Sequence, residues 1–195
     1  MSTENTMYSS VVIDDLRSRC PNVACLYAEY NDQKNQTLVN ILGAFLRQFL
    51  ATTQTPISNE ITKKLQVIQR EGGKTGFEDN LALLKIQLQH LDRAFICIDA
   101  IDELDPDVRW KLLKGLEDLG ATNTCFFLTG RDHIESEVQE VFKISEANKV
   151  VIRATPQDIT GFVSEKIREN RNSKAMDDEL AADIINKIIE KSQGM

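Results

Sequence analysis

The chain has 195 residues, 42% of them hydrophobic and 27% charged, with a formal net charge of -7. That size suits one domain, or one domain and the start of another, and the composition is that of a folded globular protein. The negative balance, with no Lys/Arg run, excludes a general binder of nucleic acid or of anionic membrane, since both need basic surface; no apolar run approaches the ~20 residues of a membrane span.

In chain order the pattern alternates between helix and strand. The start, Met1-Ser2-Thr3-Glu4-Asn5, lacks the basic and apolar regions of a signal peptide. Residues 7–19 predict a helix with Val11, Val12 and Leu16 on one face, and Val23 to Tyr27 a short apolar strand. Residues 37–51 form a strongly amphipathic helix, with Leu38, Ile41, Leu42, Phe45 and Phe49 at a 3.6-residue period. Ser58 can cap a helix that uses Ile61, Leu65 and Ile68. A Gly72-Gly73 break follows, then a helix marked by Leu81, Leu84, Leu88 and Leu91.

Ala94–Asp99 is the next strand. Asp105-Pro106 is a helix start, an acid at the N-cap and proline at the first helical position. That helix carries Val108, Leu112, Leu116 and Leu119 and stops at Gly120. Thr124–Thr129 reads as a third, buried strand, then a short helix bears Ile134, Val138 and Val141, and Lys149–Arg153 reads as a fourth strand. Thr155-Pro156 opens a helix with Ile159, Phe162, Val163 and Ile167, and a last helix carries Leu180, Ile184 and Ile188. Strands separated by helices predict a parallel sheet covered on both faces. Beyond residue 153 the pattern is purely helical, so residues 1–153 are expected to form an α/β core and 154–195 the beginning of a helical subdomain. The ending at Gly194-Met195, directly after a helix, reads as though cut from something longer.

The cysteines, Cys20, Cys25, Cys97 and Cys125, form no CxxC pair, so their spacing suggests neither a zinc site nor a redox motif. Three of them fall in apolar strand-like runs. Reduced core thiols are the expected reading, and they imply an intracellular, cytoplasmic protein.

The most informative stretch is Arg93-Ala94-Phe95-Ile96-Cys97-Ile98-Asp99-Ala100-Ile101-Asp102-Glu103. An apolar run meets an Asp, with two further carboxylates close behind. That is a buried parallel strand with acids at its carboxyl end, where open α/β sheets bind ligands. In a nucleoside triphosphatase an Asp there orients Mg2+ through its water ligands, and a second acid positions or deprotonates the attacking water. Asp99 suits the metal role, and Asp102 or Glu103 the catalytic one. The plainer alternative is a buried strand that happens to meet a solvated acidic loop. Cys125-Phe126-Phe127-Leu128-Thr129-Gly130-Arg131 supports the functional reading: a neighbouring strand would bring Arg131 out beside Asp99, where it could meet a γ-phosphate. An ordinary solvated Arg is the alternative there. His133, in a loop with no evident partner, reads as surface decoration.

These motifs resemble the NACHT family of signal-transduction P-loop ATPases, in particular fungal NACHT proteins with ankyrin or WD repeats and the nephrocystin-type NACHT-like domain. Ile96 to Glu103 resembles the family's extended Walker B motif. Phe127-Leu128-Thr129-Gly130-Arg131 resembles its sensor strand, where Thr-Ser-Arg is more usual, which makes Thr129 and Arg131 nucleotide-sensing residues by resemblance. Leu26 to Tyr30, Gln36-Thr37 and the helix ending Leu46 to Leu50 resemble the second strand and its following helix. Asp158-Ile159 with its helix, and the closing Lys191 to Met195, resemble the region after the fifth strand. The resemblance implies a three-layer P-loop NTPase-like parallel sheet, with Mg2+ and ATP as cofactors. It further implies homo-oligomeric partnership with other NACHT chains, in ATP-controlled switches for immunity-like signalling. The effector domain that precedes and the repeat sensor that follows in such proteins are not in this sequence.

One part of that pattern is missing. Met7 to Leu16 resembles the family's first helix without the strand and glycine-rich Walker A loop before it, and residues 1–6 hold no Gly and no Lys. Gly73-Lys74-Thr75 is a decoy: a P-loop needs Gly five residues before Gly73, and position 68 is Ile. Charge-assisted hydrogen bonds contribute roughly 1.5–3 kcal/mol each. Losing three costs at least about 4.5 kcal/mol, roughly a thousandfold in affinity. The expected strand order of the family, 5-1-4-3-2, makes the absent strand central and leaves a slot between Lys149–Arg153 and Thr124–Thr129. The chain is therefore expected to be a portion of a NACHT ATPase that binds and hydrolyses ATP poorly as given. The alternative is a non-catalytic interaction module or decoy that pairs with full-length relatives. A metal-dependent nuclease using the clustered acids would need more ligands and a basic groove, which the net charge opposes.

Overall fold

Three short apolar runs become a parallel sheet in the order β1-β2-β3, with β1 at Val23–Tyr27, β2 at Ala94–Asp99 and β3 at Thr124–Leu128. The structure is a computed structural model and describes residues 3–52, 57–120, 122–143, 148–152, 155–169 and 178–192. It divides into two units, Met1–Ile144 and Ser145–Met195. The fold is mixed α/β, as the alternation of patterns predicts, and the sheet is that of a P-loop-like architecture without a first strand.

In the first unit the register pairs Cys25 with Cys97 and Cys97 with Phe127, so one row of side chains crosses the whole sheet. One face carries the main core. Onto it pack α2 (Leu38–Thr52), α3 (Asn59–Arg70), α4 (Phe77–Gln89), α5 (Pro106–Leu119) and α6 (Glu135–Phe142), burying Phe45, Phe49, Leu84, Leu112 and Leu116 against Ile96 and Ile98. The opposite face carries α1 (Thr3–Arg19) and a smaller cluster of Ile13, Val23 and Cys97. The helix starts are set locally. Asp105 accepts from the Asp107 and Val108 N–H groups ahead of Pro106, and Ser58 accepts from the Ile61 N–H. Gly72 and Gly73 both have positive φ, 131° and 79°, which suits glycine and ends α3. The Gly73-Lys74-Thr75 triplet thus joins two helices and follows no strand, as its rejection as a phosphate loop requires.

Three sequence expectations change. The buried face of α1 is Ser9 and Ile13 with Leu16 packed beside them, while Val11 is 66% exposed and Val12 also faces solvent. Strand β3 is half-buried along its whole length rather than fully buried, because it is the edge of the sheet. The fourth strand does not form: residues 149–152 lie in no ladder, and Arg153 lies outside the described residues. A strand exists only beside a paired neighbour. The expected order gives this segment the first strand as neighbour, and that strand is not in the sequence given. The expected boundary at 154 also lies outside the described residues.

In the second unit, α7 (Pro156–Glu169) packs on α8 (Asp178–Ser192). Thr155 and Asp158 close a capping box: Asp158 accepts from the Thr155 N–H and hydroxyl at 2.8 and 2.6 Å, and its own N–H donates to the Thr155 hydroxyl at 3.2 Å. The Thr155 hydroxyl, and then its N–H, hold the Asp158 carboxyl below its ordinary range. Among the described residues no helix is long and apolar enough to cross a membrane.

Candidate functional site

Strand β2 delivers Asp99 to the carboxyl edge of the sheet, between the ends of β1 and β3. Its carbonyl accepts from the Ala28 N–H at 2.9 Å, and the Ile98 carbonyl before it accepts from the Thr129 N–H at 3.0 Å. Asp99 is 3% exposed. Its Oδ1 accepts from the Ser9 hydroxyl at 2.5 Å and from the Thr129 hydroxyl at 2.6 Å. Thr129 Oγ1 in turn accepts from the Ala100 N–H at 2.9 Å. A buried carboxylate is tolerated when donors satisfy it, and here they come from Ser9 on α1 and from Thr129, just past the end of β3.

Directly after Asp99 the chain turns. Ala100 is left-handed, with φ 53° and ψ 47°, a conformation that costs an L-residue roughly 1–2 kcal/mol. The turn Ile101–Glu103 then tucks two acids beneath a guanidinium. The side chains of Asp102 and Glu103 are 4% and 12% exposed, that of Arg131 63%. Arg131 donates to Glu103 Oε1 at 3.0 Å, its Nε lies 3.5 Å from Asp102 Oδ2, and its backbone N–H donates to Asp102 Oδ1 at 3.3 Å.

The turn is braced from two further sides. Gln33 donates to the Glu103 carbonyl at 2.8 Å. Arg109 on α5 donates to the carbonyls of Asp102 and Leu104, and forks onto Glu137 of α6 through two 2.8 Å bonds. The Glu137 hydrogen bond raises the Arg109 pKa against the opposing effect of burial, and the same bond holds the Glu137 carboxyl below its ordinary value. Beside the turn opens a cleft of about 330 Å³ lined by Glu29, Tyr30, Asn31, Glu103 and Arg131.

The five residues singled out from sequence thus lie at one sheet end, in two adjoining groups. Asp99 and Thr129 are directly bonded; Asp102, Glu103 and Arg131 form an ion-paired cluster. Arg131 was expected beside Asp99, and the structure places its guanidinium on Asp102 and Glu103 instead, because its own N–H is already anchored to Asp102. His133 is exposed, as expected. Sequence reasoning missed Ser9, Gln33 and Arg109. Arg109 had a signal: it occupies the buried stripe of α5 with Leu112, Leu113 and Leu116. Ser9 lies one helical turn before Ile13, on the same buried stripe, but a lone serine in a serine pair carries no mark of its partner.

The donors around Asp99 are all oxygens, a carboxylate with two hydroxyls, which suits a hard cation such as Mg2+ that keeps waters and takes one or two protein carboxylates. Among the described residues no group of three or more His, Cys, Asp or Glu is placed to hold a metal alone, so most of such an ion's ligands would come from water and a bound phosphate.

Among known families, the model of the nephrocystin 3 N-terminal domain matches residues 5–131. No curated protein and no solved structure matches the chain. The matched span runs from α1 through Arg131, and so contains every residue of both groups.

Proposed function

The chain belongs to the nephrocystin 3 N-terminal family, whose model covers residues 5–131 of its 195, and from that premise we propose that it is a portion of a NACHT-type P-loop ATPase, a nucleotide-controlled signalling switch. The observation that carries the reading is the buried Asp99 carboxylate at the carboxyl end of a parallel strand, held by Ser9 and Thr129, with two acids one turn beyond. In this reading Asp99 would hold Mg2+. Thr129 orients the Asp99 carboxylate. Asp102 or Glu103 positions or deprotonates the attacking water, and Arg131 contacts the γ-phosphate once released from the two acids. Bound Mg2+ would neutralise phosphate charge.

The sequence given holds no glycine-rich phosphate loop. Several backbone N–H donors and a lysine are therefore lacking, and this chain alone binds Mg-ATP weakly. Calorimetric titration of Mg-ATP into the purified chain, with Asp99→Asn as control, tests this. The expected result is no saturable binding below roughly millimolar ATP, following from the thousandfold loss reckoned above. Micromolar binding lost in Asp99→Asn would overturn the weak-binding claim and make the chain a working, unusual NTPase.

A second reading is a non-catalytic module that pairs with related chains. The ion pairs that Arg131 makes with Asp102 and Glu103 favour it, since they leave both acids occupied without a nucleotide.

A further inference from the structure

Spacing along the sequence makes no pair of the cysteines, but the sheet does. Cys25 on β1 and Cys97 on β2 are register partners. Both lie on the α1 face, in the cluster built on Ile13, Val23 and Cys97. Neighbouring strands run about 4.8 Å apart, inside the roughly 4.4–6.8 Å over which a disulfide joins two α-carbons. Cys125 instead faces Phe95 in the register, and Cys20 lies before β1, its thiol donating to the Arg93 carbonyl at 3.6 Å.

The two partners are unlike each other. Cys97 is fully buried, and burial, then the Cys25 beside it, pushes its thiol up to about 11. Cys25 is only partly covered. The Arg17 guanidinium of α1 donates to its Sγ at 3.1 Å. Gln48 of α2 fixes its backbone, accepting from the Cys25 N–H at 2.9 Å and donating to the Cys25 carbonyl at 3.0 Å. A partly exposed thiol beside a positive charge is the setting in which cysteines are oxidised selectively. A second thiol in register with it is placed to take up the product.

We propose that Cys25 and Cys97 are a peroxide-responsive thiol pair: a hydroperoxide oxidises Cys25 beside Arg17, and Cys97 then closes a disulfide across β1 and β2. In the first step the Cys25 sulfur attacks one peroxide oxygen and the O–O bond breaks. Cys25 becomes a sulfenic acid, and the other oxygen leaves with the thiol proton as an alcohol or water. Arg17 supplies a hydrogen-bond donor to that departing oxygen. In the second step the Cys97 sulfur attacks the Cys25 sulfur, the S–O bond breaks, and the hydroxyl leaves as water with the Cys97 proton. Two thiols are oxidised and one peroxide is reduced. Cys97 stays almost wholly protonated at neutral pH, so the second step takes far longer than a rapid thiol titration, up to hours. The new bond fastens the strands two residues before Asp99 and Tyr27, and a reducing thiol of the glutathione class reopens it. This inference does not depend on the nucleotide reading.

Hydrogen peroxide added to the dilute, purified chain tests it. Remaining thiols are alkylated and the unreduced tryptic peptides are fragmented in a mass spectrometer, which tells Cys25 from Cys20 on the same peptide. The expected product is a linked pair of peptides joined at Cys25 and Cys97 and separated by dithiothreitol. Cys25→Ser should leave Cys97 a free thiol. Arg17→Gln should slow the loss of the Cys25 thiol about tenfold, the effect of one charge-assisted hydrogen bond. Cys25 overoxidised to a sulfinic acid while Cys97 stays free, or Cys97 joined to Cys20 or Cys125, would overturn the pairing. So would Cys97 oxidised as fast in Cys25→Ser as in the unaltered chain, and an unchanged rate in Arg17→Gln would overturn the part given to Arg17. The substituted residues are exposed or partly covered, so both variants keep the fold, and circular dichroism checks this.

Discussion

The Ser9 hydroxyl donates to the Asp99 carboxylate at 2.5 Å across ninety positions of sequence, and both side chains are buried. This bond ties α1 to the end of the central strand. It joins the cover of one sheet face to the candidate metal residue. Thr129, just past β3, supplies a second donor, so α1 and the chain leaving β3 converge on one oxygen of the central strand's last residue.

Removing that donor should be costly. Hydrogen bonds to charged groups contribute roughly 1.5–3 kcal/mol. Ser9→Ala should lower unfolding free energy in urea by about that amount, with Thr129→Val similar. Ser9→Ala together with Asp99→Ala should cost less than the sum of the two single changes, because the bond is lost only once. Additive single and double variants would show that the pair is not coupled.

The Arg109–Glu137 pair gives a pH prediction. Its guanidinium is 7% and its carboxylate 32% exposed. Glu137 has its pKa lowered from 4.5, first by the Arg109 hydrogen bond. A carboxyl lowered in the folded state gives stability that is fully present above the unfolded value and lost as pH falls through the folded one. Glu137→Gln should therefore destabilise the chain at neutral pH by about 1–3 kcal/mol. The gap to wild type should close as pH drops below about 4.5. Thermal melts of both proteins from neutral to acid pH read this, and parallel curves would exclude the pair as the source.

The cysteines should separate by reactivity. Cys97 is fully buried between β1 and β3, and burial, with the neighbouring Cys25 charge, pushes its thiol up to about 11. Cys20, Cys25 and Cys125 are only partly covered. A chromogenic disulfide reagent at mildly alkaline pH should titrate three thiols in the native chain and the fourth only on unfolding. Prompt reaction of all of them would mean that the central strand opens readily.

Much of this architecture was legible because local signals agreed with the global fold. In α2 the 3.6-residue period of Ile41, Leu42, Phe45 and Phe49 marks the face that is in fact buried, and Asp105-Pro106 marks the start of α5. What escaped depended on partners far away in sequence. Val11, Val12 and Ile13 are adjacent apolar residues that point three ways around a helix. The distant Asp99 carboxylate, bonded to Ser9, and the apolar contacts of Ile13 with Val23 and Cys97 make the Ser9–Ile13 side the inner one. The run Cys125 to Leu128 reads as central, but an apolar strand does not announce whether a neighbour lies on each side. Val150 to Ile152 shows the converse: strand propensity without a partner makes no strand. At the site, the acids were visible as a pattern. The reach of Arg131 was not, because the Asp102 contact that anchors its N–H is set by the left-handed turn at Ala100.

The central claim is that this sheet end is the acidic half of a nucleotide site awaiting its phosphate loop. The most direct test is to join a strand and GxxxxGK[ST] loop ahead of Thr3 and titrate Mg-ATP calorimetrically, with the same addition carrying Asp99→Asn. The account predicts that the extended chain gains affinity by roughly a thousandfold over the chain as given, and that Asp99→Asn removes most of the gain. An extended chain that folds but still fails to bind Mg-ATP, or that binds equally well with Asn at 99, would contradict it.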